Sequence, residues 1–221
     1  MKMRIFSLLI ALLLTCLALS GCATHQAPAH GDLDFTAVDP AVCVETDEVT
    51  TLVKMSVKDF GDIIIRLYPE VAPKTVKHFQ ELVADHYYDG LIFHRVVKDY
   101  MIQGGDLDGD GISNESSKTI EGEFSANGFE NNLKHIKGVI SMARLGHDMD
   151  SASAQFFIMH KTEKGASLNG KYASFGYVVS GMDVVNDIAS VPVKNDAFGM
   201  EKSTPITPVV IESVRFVKVS E

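Results

Sequence analysis

Few side chains in this sequence of 221 residues are arranged to carry chemistry. No Ser-His-Asp set, metal-ligand cluster or glycine-rich phosphate loop stands out. The eight histidines show no metal-ligand spacing: His25 and His30 lie near the N-terminus and the others are scattered. DLDGDG, starting at Asp106, imitates the beginning of a calcium loop, with acids at the first, third and fifth positions and Gly111 at the sixth. Its twelfth position is Ser117 rather than a bidentate Glu, and no helix signal flanks it, so it reads as an acidic surface loop. Two dense strings stand out instead: FHRVVKDYMIQGGD (Phe93 to Asp106), which contains Arg95 and Gln103, and SASAQFFIMH (Ser151 to His160). A guanidinium is permanently charged, and its planar fork can be held rigidly by neighbours. An isolated strand arginine is nonetheless ordinarily a solvated surface charge, so the pair selects no reaction by itself. Alternation along a strand sends His94 and Arg95 to opposite faces, which makes His94 a packing residue. By the same rule Phe156 and Phe157 divide between core and site.

The elements that would position these residues are short apolar runs separated by turns. TLVKMSV alternates, KDFGD supplies a turn and GDIIIRLY follows, a hairpin signal beginning at Thr51. LIFHRVV, KGVISMA, AQFFIM, SFGYVV and PVVIESVRFVKV are later runs of the same kind. Two segments read as helices. One starts near Pro73, carries Val76, Phe79 and Val83 on one face and runs until Asp89-Gly90; the other spans Met182 to Ala189 ahead of Pro192. Many short strands with two helices predict a mainly β domain, closed or nearly closed into a barrel.

Composition agrees. Hydrophobic residues make up 46% and charged residues 22%, which excludes a wholly disordered chain. Asp plus Glu number 29 against 20 for Lys plus Arg, a net charge of −9, and without a basic block the chain is a poor partner for nucleic acid. Three cysteines cannot staple a scaffold of this length.

Both dense strings resemble the signature segments of the cyclophilins, a family of peptidyl-prolyl cis/trans isomerases. KGVISMAR (Lys137 to Arg144), LNGKYASFGYVVSGMDVV (Leu168 to Val185) and the VAPKTVKHFQELV helix follow the same family's order and spacing, so the resemblance covers about Thr51 to Val219. It implies a closed eight-stranded antiparallel barrel capped by two α-helices over residues 51–221. It places the catalytic arginine at Arg95 and its glutamine at Gln103, and the proline pocket at Tyr100, Met101, Phe157 and Leu168. The wall receiving the substrate backbone falls on Ala143 and Arg144, with Gln155 beside it and Tyr172 where the family often has His. The implied substrate is a proline-containing unfolded or loop segment, handled without metal or cofactor by a monomer. Three positions depart from the eukaryotic pattern: Tyr100 adds a hydroxyl to the pocket ring, Ser167 stands where Trp is frequent, and Tyr172 stands where His is. Arg144, in place of a familiar Asn, bears on substrate preference. The absent Trp predicts weak cyclosporin inhibition. The stretch Leu145 to Asp150 also looks altered in length relative to the eukaryotic pattern.

The N-terminus reads as an address. Lys2 and Arg4 precede an apolar run from Ile5 to Leu19, too short for a comfortable membrane span. The run ends LALSGC, which resembles a bacterial lipobox: residues 1–21 would leave as a signal peptide and Cys22 would be acylated, anchoring the protein to the envelope. Ala23 resembles an outer-membrane sorting signal, which favours the outer membrane, facing the periplasm. Loss of Lys2 and Arg4 takes the net charge to −11. Residues 22–50 hold six acids, no Lys or Arg, and Pro28, Pro40 and Gly31, and read as an extended flexible tether with Cys43 a bystander. A short edge strand around Val42 to Val44 is the alternative for its end. The function implied is isomerisation of X-Pro bonds in exported proteins. Its rival is a module that holds proline-containing partners, as chaperone or adhesin, with incidental turnover.

Overall fold

The computed structural model describes residues 26–111 and 118–220; the signal segment, Cys22 and Ser117 lie outside them. Eleven strands and two α-helices follow one another along the chain: β1 (Cys43–Glu45), β2 (Leu52–Val57), β3 (Gly61–Leu67), α1 (Pro73–Ala84), β4 (Arg95–Val97), β5 (Met101–Gly104), β6 (Val139–Met142), β7 (Phe156–Met159), β8 (Ser174–Ser180), α2 (Met182–Ile188), β9 (Val193–Asn195), β10 (Lys202–Pro205) and β11 (Ile211–Val219). Val53, Met55 and Val57 of β2 are buried in alternation, as the apolar pattern requires. β3 buries Ile63, Ile64 and Ile65 in succession, because the sheet is covered on both faces there. Phe79 of α1 reaches a cluster of Tyr88, Phe156 and Phe175, with ring centroids 5.2, 6.2 and 5.1 Å away.

Helix α1 has Pro73 at its first position, and its N-terminus is capped from elsewhere in the chain. The fully buried carboxylate of Glu123 accepts from the amides of Lys74 (3.0 Å) and Thr75 (2.8 Å) and from the Thr75 hydroxyl (2.7 Å). An anion there meets both the free amides and the positive end of the helix dipole. The helix stops at Ala84, short of the expected Asp89-Gly90, because His86 takes a left-handed conformation (φ 66° at Asp59, 55° at His86 among the few such non-glycine residues).

Two expectations are corrected. The strand ladder is not a closed eight-stranded barrel. It is one nine-stranded antiparallel sheet in the order β1-β11-β2-β3-β8-β6-β7-β5-β4, with β9 and β10 forming a separate hairpin. Between the β4 and β11 sides the chain makes a single-residue bridge, Ile92 with Val210, and backbone bonds from Gly90 to Ile211, Phe93 to Val209 and Ile211 to Leu91. Pro208 offers no donor, and the turn at Gly90 (φ 82°) leads directly into this stretch, so no strand develops.

The tether is the second correction: from Gln26 onward it is docked on the domain. Ala27 and Leu33 are buried, the Tyr68 hydroxyl donates to the Asp34 carbonyl at 2.6 Å, and Arg66 pairs with the Asp34 carboxylate. The Phe35 ring meets Tyr177 edge-on at 4.8 Å. Cys43 opens β1, which pairs with the end of β11. Sparse apolar residues, each with a prepared partner, hold a segment whose average composition resembles a linker.

Candidate active site

Antiparallel pairing of β4 with β5 sets Arg95 opposite Gln103, and pairing of β5 with β7 sets Gln103 opposite Phe157. The site is therefore a cross-strand row, with spacing imposed by the ladder. Gly105, just after β5, has φ 85°, and a Cβ there would lie 2.6 Å from the Ala154 carbonyl, so only glycine lets the chain pass this close to the start of β7. A similar close approach at Gly165, where a Cβ would lie 1.7 Å from the His135 carbonyl, seats the Gly165–Ser167 turn against His135 and carries Leu168 into the site.

Arg95, Tyr100, Met101, Gln103, Ala143, Arg144, Phe157, Leu168 and Tyr172 line one cavity of about 140 Å³. Of the residues expected at the site, Gln155 stands apart: it lines an adjoining cavity of about 90 Å³ with Gln103, Ala143, Arg144 and Leu145. Met101, Phe157 and Leu168 are buried. Phe157 is fixed by Tyr172 edge-on at 5.7 Å and by the His135 ring stacked at 6.0 Å. His135 is held in turn by Asn169 (Nδ1 to Oδ1, 3.0 Å) and Ser141 (Oγ to Nε2, 2.9 Å). Burial lowers its pKa to about 4, so the ring behind the pocket is neutral and its unprotonated nitrogen accepts from Ser141. Phe156 points the other way, into the aromatic core. His94 is buried, and its ring nitrogens have no hydrogen-bond partner among the described residues.

A chain of polar contacts fixes the guanidinium. Arg95 Nη1 donates to Gln103 Oε1 at 3.2 Å, Gln103 Nε2 to Gln155 Oε1 at 3.0 Å, and Gln155 Nε2 to Asp106 Oδ1 at 3.0 Å. Asp106 Oδ2 accepts from the Gly111 amide at 2.9 Å. Asp106 thus anchors the network and its own loop. Among the described residues no group of three or more His, Cys, Asp or Glu could hold a metal. On its far edge Arg95 donates from Nε and Nη2 to the two oxygens of Glu201, at 2.6 and 3.0 Å. Glu201 went unnoticed in the sequence because it stands 106 positions away, in a polar stretch without apolar periodicity. Arg144 is tied differently. Its Nε donates to the Lys171 carbonyl (2.9 Å) and Nη1 to the Leu145 carbonyl (2.8 Å), and its guanidinium lies over Tyr172 and Phe124, 4.8 and 5.2 Å from their centroids.

A cation held in the wall of a small cavity that Met101, Phe157 and Leu168 also line suits a neutral ring with polar groups on its flank. The family model described as "Cyclophilin type peptidyl-prolyl cis-trans isomerase/CLD" matches residues 52–216, and the chain belongs to this family. Among relatives, it is 38% identical over 168 residues to a peptidyl-prolyl cis-trans isomerase of Acinetobacter baylyi, covering 75% of this chain and 85% of that one. It is 39% identical over 160 residues to peptidyl-prolyl cis-trans isomerase B of Escherichia coli, covering 70% and 93%. A Cryptosporidium parvum cyclophilin crystallised in the presence of the dipeptide Ala-Pro superposes with a TM-score of 0.63 at 27% identity, covering 75% of this chain and 98% of that one. The activity is peptidyl-prolyl cis-trans isomerisation, and the fold is the mainly β cyclophilin type with two helices.

Proposed function

We propose that the 140 Å³ cavity receives the proline ring of a client and that Arg95 and Gln103 accelerate rotation about the preceding bond. Amide resonance opposes that rotation with a barrier of roughly 18–20 kcal/mol. In the twisted transition state the prolyl nitrogen becomes pyramidal and regains a lone pair. A guanidinium directed there binds the transition state better than the planar amide, which is the condition for catalysis. One charge-assisted hydrogen bond contributes roughly 1.5–3 kcal/mol, whereas a 10⁵-fold acceleration needs about 7 kcal/mol. The remainder comes from holding the ring against Met101, Phe157 and Leu168 while the backbone rests along Ala143 and Arg144. No proton is transferred and no covalent intermediate forms. The observation that carries this reading is the guanidinium held in the cavity wall with an Nη2 N–H to spare.

The clients proposed are exported proteins of the bacterial envelope, from the address at the N-terminus. With Cys22 acylated, only residues 23–26 separate the lipid from the docked Ala27, a reach of under about 20 Å at 3.3–3.6 Å per residue. The enzyme would then work close to the membrane surface. The test is cis-to-trans exchange of a short X-Pro peptide by NMR on the full chain. Fast exchange that collapses in Arg95→Ala supports the reading, and wild-type turnover in that variant overturns it. Incorporation of labelled palmitate that disappears in Cys22→Ser tests the anchor.

A further inference from the structure

The grip of Glu201 on Arg95 has a definite geometry. Glu201 immediately precedes β10, and its carbonyl accepts from the Asp196 amide at 2.8 Å. The turn between β9 and β10 is closed from within: Gly199 donates to the Asp196 carbonyl at 3.1 Å, the Met200 amide to Asp196 Oδ1 at 2.8 Å, and Gly199 has φ 70°. Lys202 then pairs with Asn195. The carboxylate therefore stands on a hairpin with its own hydrogen bonds. Arginine has five N–H donors in a fixed fork. Glu201 takes the one on Nε and one on Nη2, and Gln103 takes one on Nη1. Met101 Sδ also accepts from Nη1, at 3.9 Å, so the second N–H on Nη2 is the one left for the cavity.

Arg95 and Glu201 side chains are 35% and 36% exposed. A pair this wet adds little to stability, and water likewise screens the carboxylate from anything bound in the pocket. The directional constraint on the fork is not screened. Orientation therefore outweighs neutralisation of the cation.

We infer that Glu201 is a positioning residue for the isomerisation, acting through Arg95: it turns the guanidinium so that its remaining Nη2 N–H faces the proline cavity. The Arg95 hydrogen bonds also hold the Glu201 carboxyl below its ordinary pKa, with a smaller contribution from Ser203, so the grip persists at neutral pH. This inference rests on the reading that Arg95 acts on the prolyl bond.

The experiment measures exchange of a saturating X-Pro peptide, peptide Kd and the Arg95 Nε–H resonance on the full chain and on Glu201→Ala, Glu201→Gln and Arg95→Ala. Glu201→Ala should lower exchange about tenfold with Kd within about twofold, the signature of a group that acts only in the transition state. Glu201→Gln keeps one oxygen on Nε and should lose about threefold. The Nε–H signal, protected in the wild type, should weaken in the Gln variant and vanish in the Ala variant. If exchange in Glu201→Ala is unchanged or faster while Arg95→Ala is inactive, the inference falls and the reading of Arg95 stands. Wild-type exchange in Arg95→Ala removes the reading beneath it. A raised Kd at unchanged exchange would make Glu201 a substrate contact and also overturn the inference. Should the Asn195 and Lys202 amides show that the Ala variant has lost its hairpin, the near-isosteric Gln variant decides.

Discussion

Two arginines border one pocket and are held by opposite means. Arg95 is fixed by the side chains of Glu201 on Nε and Nη2 and of Gln103 and Met101 on Nη1, with one N–H on Nη2 left over. Arg144 is fixed by the Lys171, Leu145 and Gly146 carbonyls, which accept from its Nε and Nη1, and by two aromatic faces, so it links the 145–150 loop to the 171–172 turn. The difference teaches that proximity to a pocket does not define a role. The first guanidinium is held by side chains beside the cavity, and the second clasps two backbone segments together.

The comparison is broken most forcefully at Arg95. Arg95→Ala should cost at least about a hundredfold in exchange, as removal of a single preorganised donor does elsewhere, while thermal melting stays near the wild type because the side chain is partly solvated. Next in size is the support behind Phe157. The folded-state pKa of His135 is about 4, below its unfolded value near 6.5. Its contribution is therefore complete above pH 6.5 and is lost as pH falls toward 4, by about 3 kcal/mol in all. Chemical denaturation across that window checks this, and an NMR titration placing His135 near 6.5 would contradict it. Arg144→Ala should alter exchange by less than about fivefold and instead raise amide hydrogen exchange through Leu145 to Asp150. A loss equal to that of Arg95→Ala would erase the distinction between the two. The smallest effect on catalysis is expected far from both. Phe35→Ala, which removes the edge contact with Tyr177, should lower stability by about 1–2 kcal/mol, less than a full core truncation, and leave exchange unchanged.

The strands were legible because burial leaves a pattern, whereas the pocket residues follow only from the family resemblance. Val53, Met55 and Val57 alternate, and Phe156 and Phe157 divide between core and pocket as a pleated strand demands. What escaped was polar and remote. Glu201 and Glu123 are acids in polar surroundings whose partners lie 106 and about 48 positions away, and no local period encodes such pairings. The β9–β10 hairpin has strands of only three and four residues, in which Ser203 and Pro205 alone are buried, too short for a sequence period to show. DLDGDG looked like a surface loop, yet Asp106 is buried and anchors Gln155. The N-terminal segment misled through its average: linker-like composition concealed Ala27, Leu33 and Phe35, each with a site waiting for it on the domain. Closure at Ile92 turned out to be a bridge because the count of apolar runs says nothing about where a ladder ends.

The most direct test of the account is Arg95→Lys in the exchange assay with the full chain. Lysine keeps the charge but presents a point cation, without the fork that Glu201 and Gln103 grip together. The account predicts a loss within about threefold of that in Arg95→Ala, because directed N–H groups, rather than charge alone, stabilise the twisted bond. Near-wild-type exchange in the lysine variant would contradict it.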